Sequence, residues 1–259
     1  KWHSLQFQGT FVMLNGAVQD VSTEKELSNI LSDIMDEVFG RTLIVNNDLL
    51  NKNVLSGAIK QARKKALEYI IGQEDVYAEC GYLSPEFNII RAALSKNGII
   101  PNEEVANPEY RMDANSLNTF EDGIVSGEPL MEAIFNKLLE AESARMPLSE
   151  LYKLLKGEPF GLRDGYIPVL VAYALRRYQN VSIYFHGNEH SYTVDELVKA
   201  LEEPENYTLF ICNWNEEETE YIEALEKLFS HYLPDGDGLN RLEELFRAMN
   251  AHYASISKS

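Results

Sequence analysis

Gly157-Glu-Pro-Phe-Gly-Leu-Arg-Asp-Gly-Tyr-Ile-Pro-Val-Leu-Val-Ala-Tyr-Ala-Leu-Arg-Arg-Tyr-Gln-Asn-Val-Ser-Ile-Tyr184 is the stretch that decides the fold. It reads as a turn, a helix apolar on nearly every side, and a strand. Asp164 stands where its carboxylate would cap the helix by accepting from an orphan first-turn amide. Pro168 then falls early in the helix, where the amides have no intrahelical partner to lose. From Ile167 to Tyr178 no polar face appears before Arg176, which predicts a helix enclosed on several sides. The run is too short to cross a membrane, and it ends in Arg and Tyr. Arg176 and Arg177 suit the negative end of the helix dipole. Gln179-Asn180 breaks the helix, and Val181 to Phe185 is a β-branched and aromatic strand. A helix that reads DNA must offer polar side chains to base edges. This one offers almost none, so it is expected in the core.

Before the stretch, Pro129, Leu130, Ile134, Leu138 and Leu139 recur at helical spacing, and Leu148 to Leu155 is a short helix with its cap at or just before Ser149. After it, His186 to His190 reads as a turn and Ser191 to Thr193 as a second strand. Val194 to Leu201 reads as a helix and Tyr207 to Cys212 as a strand. Three helices followed by strand, turn and strand match the order of a winged helix. Two acidic amphipathic helices close the chain, Glu216 to Tyr232 and Leu239 to about Ser255.

In the first part, Leu5 to Leu14 alternates loosely, Asn15-Gly16 follows, and Ala17 to Val21 completes a hairpin. Gly9 would mark a bulge. Thr23 and Glu26 form a capping box. The helix behind it carries Leu27, Ile30, Leu31, Ile34, Met35 and Val38 on one face and stops at Gly40. Asn46, Asn47, Asp48, Asn51 and Asn53 suit caps and turns around a short helix. A longer helix runs from about Leu55 to Ile71. Ser84-Pro85 opens another, which ends at Gly98 as its C′ residue. From Ile99 to Gly127 the periodicity is lost, and a loop of that length reads as a linker or a functional loop. The expected organisation is therefore a β-hairpin and helical subdomain at 1–98, a linker or long loop at 99–127, and a winged-helix-like domain with trailing helices at 128–259. The expected fold class is mainly α with small β elements (α+β).

The chain has 259 residues, 45% hydrophobic and 25% charged, which suits a globular protein with a real core. Its formal net charge of −18 disfavours nucleic acid as a general partner, since neutralising phosphates drives such binding. The acid is concentrated: residues 195–244 hold 15 Asp and Glu against 3 Lys and Arg. That is a solvated face or a docking surface for a basic partner. Two cysteines, Cys80 and Cys212, without zinc-knuckle spacing suggest a reducing compartment. With no apolar signal region and no transmembrane run, no membrane partner is expected and the location is expected to be cytoplasmic. Lys1 in place of an initiator Met, and the abrupt end after a helix, suggest a piece cut from a longer protein.

Chemistry-bearing motifs are sparse. Lys60, Arg63, Lys64 and Lys65 form the compact basic group, either ion-paired to this acidic protein's other elements or in contact with nucleic acid or phosphate. His186 and His190 have a helical metal spacing, but Gly187-Asn188 between them argues for a turn at a wing tip. Asp235 to Asn240 resembles the start of an EF-hand loop but lacks its sixth-position Gly and twelfth-position Glu. Glycine-rich phosphate loops and nucleophile-elbow motifs are absent from the sequence, so no catalytic, metal or cofactor-binding residue is nominated, and no cofactor is expected.

Two stretches carry a family resemblance. One runs from Glu26-Leu27 through Leu31 to Phe39, then Asn47 to Lys52, Leu55-Ser56 and Ala62-Arg63. The other is Pro159 to Pro168 with the helix, strand, acidic helix, Pro204 and strand that follow. Both resemble the non-catalytic portion of large bacterial P-loop ATPases of phage-defence and restriction-like islands, BREX-type systems included. Asp48 stands where that family usually has Glu. The resemblance implies an accessory region, regulatory or scaffolding, that binds protein partners or other domains of the same polypeptide. With the ATPase motifs absent, no nucleotide-binding residue carries over. A winged-helix DNA-binding module is the alternative, and an enzyme with its site between the two halves is the next.

Overall fold

A two-strand hairpin and a capped helix lead the described part of the chain into an α-helical body with a four-stranded sheet. The structure is a computed structural model, and it describes residues 12–47, 50–51, 55–178, 180–233 and 241–256. The expectations for Leu5 to Phe11, Gly9, Asp48, Asn53, Gln179 and the Asp235 to Asn240 loop lie outside those residues. Ten α-helices and six short strands among the described residues make the fold mainly α with small β elements.

Strands β1 (Val12–Leu14) and β2 (Ala17–Gln19) pair antiparallel across Asn15-Gly16, whose φ angles of 50° and 80° suit a tight hairpin turn. Helix α1 (Glu24–Val38) starts on the expected capping box. The Thr23 hydroxyl accepts from the Glu26 amide at 3.2 Å, and the Glu26 carboxylate accepts from the Thr23 amide at 3.0 Å. The helix stops where expected: a Cβ on Gly40 would lie 2.9 Å from the Asp36 carbonyl oxygen. None of its residues is buried.

Helices α2 (Gly57–Gly72) and α3 (Pro85–Ala93) begin the body. The Ser84 hydroxyl caps α3 by accepting from the Phe87 amide at 3.1 Å, with Pro85 in the first turn. Gly98, at φ 67°, ends the turn after α3. Residues 99–127 then form short 3-10 turns at 102–104, 108–110 and 114–116. This segment is fastened to the body. Ile99, Ile100 and Val105 are buried in the core, and the Asn118 side-chain amide donates to the Ile44 carbonyl at 2.9 Å.

Helices α4 (Glu128–Leu138), α5 (Glu140–Ser143), α6 (Leu148–Lys156) and α7 (Ile167–Leu175) follow, then α8 (Val194–Glu202), α9 (Glu216–Leu228) and α10 (Arg241–Ile256). Between them run β3 (Met146–Pro147), β4 (Val181–Phe185), β5 (Asn188–His190) and β6 (Tyr207–Ile211). All pair antiparallel in the order β3-β6-β4-β5.

Helix α7 is buried almost entirely, with Tyr173 alone reaching partway to solvent, as its apolar sequence predicts. It packs between α2, α4 and α8. One apolar core, from Leu43 to Ile211, takes residues from both sides of the 99–127 segment.

Two local expectations are corrected. Asp164 does not cap α7: the helix starts two residues after Gly165, and the Asp164 carboxylate meets the Lys156 ammonium at 2.9 Å. The cause is a turn inserted ahead of the helix. The Tyr166 amide donates to the Arg163 carbonyl, and Gly165 sits so close to Leu50 that a Cβ would lie 2.5 Å from its carbonyl oxygen. The second strand of the hairpin is Asn188–His190, not Ser191–Thr193. His186 and Gly187, at φ 47° and 84°, complete the turn in two residues, so pairing resumes immediately.

Candidate functional site

The basic group on α2 is divided by its partners. The Arg63 side chain turns inward, is 8% exposed, and donates from Nη2 to Glu202 Oε1 of α8 at 2.9 Å. Its Nε finds no partner among the described residues. Lys64 lies 3.3 Å from Asp195 at the start of α8 and 3.6 Å from Glu68. The hydrogen bond to Asp195, then the charges of Asp195 and Glu68, hold its ammonium pKa above the ordinary value. Lys60 and Lys65 remain exposed. Acidic α8 thus lies along the inner part of the group, as charge pairing between close-packed helices favours.

Several hollows surround the core. The first, about 580 Å³, is walled by Ile99, Pro101, Met131, Phe135 and Tyr173, with residues from both halves of the chain. Its cations are committed to structure. Arg176 donates to the Ile70 carbonyl at 2.6 Å and the Glu74 carbonyl at 2.8 Å, finishing the C-terminal end of α2. Arg177 lies over the Phe135 ring at 4.8 Å. The Tyr173 hydroxyl donates to Glu104 at 3.0 Å, and burial, then Glu104, raise its pKa. This cleft can take an apolar group, and its lining offers no nucleophile beside a base.

The second hollow lies behind Arg63, between α6 and α8, with Tyr152, Lys153, Lys156, Asp164 and Glu202 on its walls. Acidic and basic side chains alternate there, and Lys156 and Arg63 are already paired.

The third, about 490 Å³, opens at the sheet edge beneath α10. Asn180, Ser182, Glu189, His190 and Cys212 come from the sheet side, and Leu242 and Phe246 from the helix. The Ser191 hydroxyl donates to Glu243 at 2.7 Å, tying α10 to the edge strand. His190 Nδ1 is 3.0 Å from Glu196, which also accepts from Lys199 and Tyr207 at 3.0 Å each. Burial works against the Glu196 carboxylate, but the bonds from Lys199 and Tyr207 hold its pKa below the ordinary value. Asn180 Oδ1 is buried and finds no partner among the described residues.

The two histidines read from sequence go to different places. His186 sits on the hairpin turn with its ring 4.3 Å from that of Phe185, and His190 goes to Glu196. Among the described residues, no group of three or more His, Cys, Asp or Glu is placed to hold a metal ion. Cys80 is buried, and burial, then Glu86, push its pKa up to about 12, so it is a packing residue. None of the described helices is long and apolar enough to cross a membrane.

Sequence reading missed the sheet-edge hollow and the outer face of α10. Asn180 read only as a helix breaker. The two terminal helices read as amphipathic, but nothing in their periodicity says which of two adjacent stripes turns outward. No family model, curated protein or solved structure matches the chain.

Proposed function

We propose that this chain is a non-catalytic accessory region, regulatory or scaffolding, that binds partner proteins or other domains of its own polypeptide in the cytoplasm. Its setting would be a large multidomain bacterial ATPase of the phage-defence type that its sequence resembles. The observation that carries the binding role is the placement of large apolar side chains outside the core at both ends. Leu31 and Met35 on α1, and Phe246 and Tyr253 on α10, are exposed. Monomeric proteins seldom expose contiguous apolar surface without a use for it. The hollows offer binding surface, and no chemistry is assigned to them. Translating the reading frame on both sides of this segment tests the setting. A glycine-rich phosphate loop in the same frame supports it, and a frame without one refutes it.

A second reading is a winged-helix DNA-binding module. Its support is the order of three helices before a sheet in which β3 lies beside β6 and β6 beside β4, with the His186-Gly187 hairpin at the wing position. Lys60 and Lys65 remain available on the outer side of α2. Titration with duplex DNA at several salt concentrations tests it. Binding that weakens with salt and is lost in Lys60→Glu/Lys65→Glu supports this reading. Binding absent at low salt eliminates it.

A further inference from the structure

Helix α1 holds an apolar face that the body leaves open. At about 100° per residue, Ile30, Ile34, Leu27, Val38, Leu31 and Met35 follow one another across less than half of the helix surface. None is buried: Leu31 and Met35 are 52% and 54% exposed, and the other four are half-buried. The residues just after the helix fix its end to the body. A Cβ on Gly161 would lie 2.6 Å from the Phe39 ring, the Arg41 amide donates to the Pro159 carbonyl at 3.2 Å, and the Arg41 guanidinium meets Asp122 at 2.7 Å. Among the described residues no other helix or strand packs along α1.

The two edges of this face differ. Glu26, Asp33 and Glu37 run along the edge beside Ile30. The Glu26 carboxylate is turned to the cap. Asp33 and Glu37, one turn apart, form no ion pair among the described residues. The edge beside Met35 carries Ser28 and Ser32, which are small and uncharged. With Glu24 at its start and Asp36 on its back, the helix has five carboxylates; its one cation, Lys25, is also on the back. The charge thus lies on the helix that carries the apolar face, and Asp33 and Glu37 set it along one side of that face. A second copy of α1 would bring carboxylates against carboxylates. A helix with Lys or Arg on one flank only, and small residues on the other, matches both edges. A helix of this length with an open face is marginal in water, so a partner that covers the face also fixes the helix.

We infer that α1 is a docking helix, and that its apolar face pairs with a partner protein's amphipathic helix that carries Lys or Arg along one flank. The inference rests on the partner-binding reading above and gives that partner its chemistry. Leu31 and Met35 enter the seam, Asp33 and Glu37 meet the partner's cations, and Ser28 and Ser32 allow close approach on the other side.

The test uses the intact chain and a synthetic peptide of about three heptads, with Leu on the seam, Lys along one flank and Ser along the other. Fluorescence anisotropy of the labelled peptide should show saturable binding that weakens as salt rises. Hydrogen exchange should show the peptide slowing amides across residues 24–38. Leu31→Gln/Met35→Gln should weaken binding by about tenfold or more, since two apolar side chains no longer leave water. Gln forms helix about as well as Leu and Met, so α1 keeps its helicity in that variant. Asp33→Lys/Glu37→Lys should reverse the preference, so that a peptide with Glu on the flank binds better than the Lys peptide. That reversal separates pairing with α1 from general attraction to a chain of net charge −18. Failure of the Lys peptide to bind overturns the inference, as does protection confined to residues outside 24–38 or an unchanged preference in the charge-reversed chain. Sedimentation showing a dimer that Leu31→Gln/Met35→Gln abolishes would assign the face to a second copy and overturn it too. The outcome is independent of the reading-frame test: a frame without a phosphate loop removes the ATPase setting and leaves this binding intact.

Discussion

At the scale of single residues, the stabilising contacts lie where polar groups are buried with several partners. Asn97 is fully buried. Its amide nitrogen donates to the Ala92 and Ala93 carbonyls at 3.0 and 3.1 Å, and its side-chain oxygen accepts from Asn118 and Ser126. The residue joins the end of α3 to the far end of the 99–127 segment. Asn97→Ala should lower unfolding free energy by about 2–4 kcal/mol, because several partners are left unpaired out of water. Urea denaturation measures it. Glu196 gives a pH dependence of known sign. Its folded pKa lies below the ordinary 4.5, so its contribution is present above that value and is lost as pH falls through the folded pKa. Lys199, Tyr207 and His190 face it. The stability gap between the parent and Glu196→Gln should be steady at neutral pH and shrink on acidification below 4.5, read from urea midpoints across pH. A constant gap would mean the carboxylate charge is not what its neighbours hold.

At the scale of elements, burial separates α7 from α1. Both start on recognisable signals, but α7 is enclosed and α1 buries none of its residues. A 15-residue helix without a packed face is marginal in water, so its cap matters more to its own persistence than to the body. Thr23→Ala should reduce the stability of α1 by about 1 kcal/mol. Amide hydrogen exchange should quicken across residues 24–38 while the global unfolding midpoint stays put. A shift in the global midpoint would show that α1 is coupled to the core. The element starts that sequence reading placed well, at Thr23 and Ser84, are set by a capping side chain within a few residues. Gly98, expected to end α3, instead closes the 3-10 turn at 95–97, since the α-helix stops at Ala93. The start expected at Asp164 moved because Leu50 crowds Gly165 from far along the chain.

At the scale of the whole molecule, α2 packs against α7 and α8, so residues before and after 99–127 share one core. Thermal unfolding followed by circular dichroism and by tryptophan-independent tyrosine signals should therefore coincide in one transition. Residues 1–98 expressed alone should lack protected amides, because Leu67, Ile70 and Ile90 would have lost the surface that covers them; an independently folded fragment would establish the boundary at 99–127 as a domain boundary. What the sequence determined by itself was the fold class, the central buried helix and the hairpin turn at Asn15-Gly16. These follow from periodicity, caps and turn residues, which act over a few positions of the chain. What only the tertiary structure decided was the inward turn of Arg63, the burial of the Asn180 side chain and the outward stripe of α10. Each depends on which distant surface lies opposite, and neighbouring residues along the chain carry no record of that.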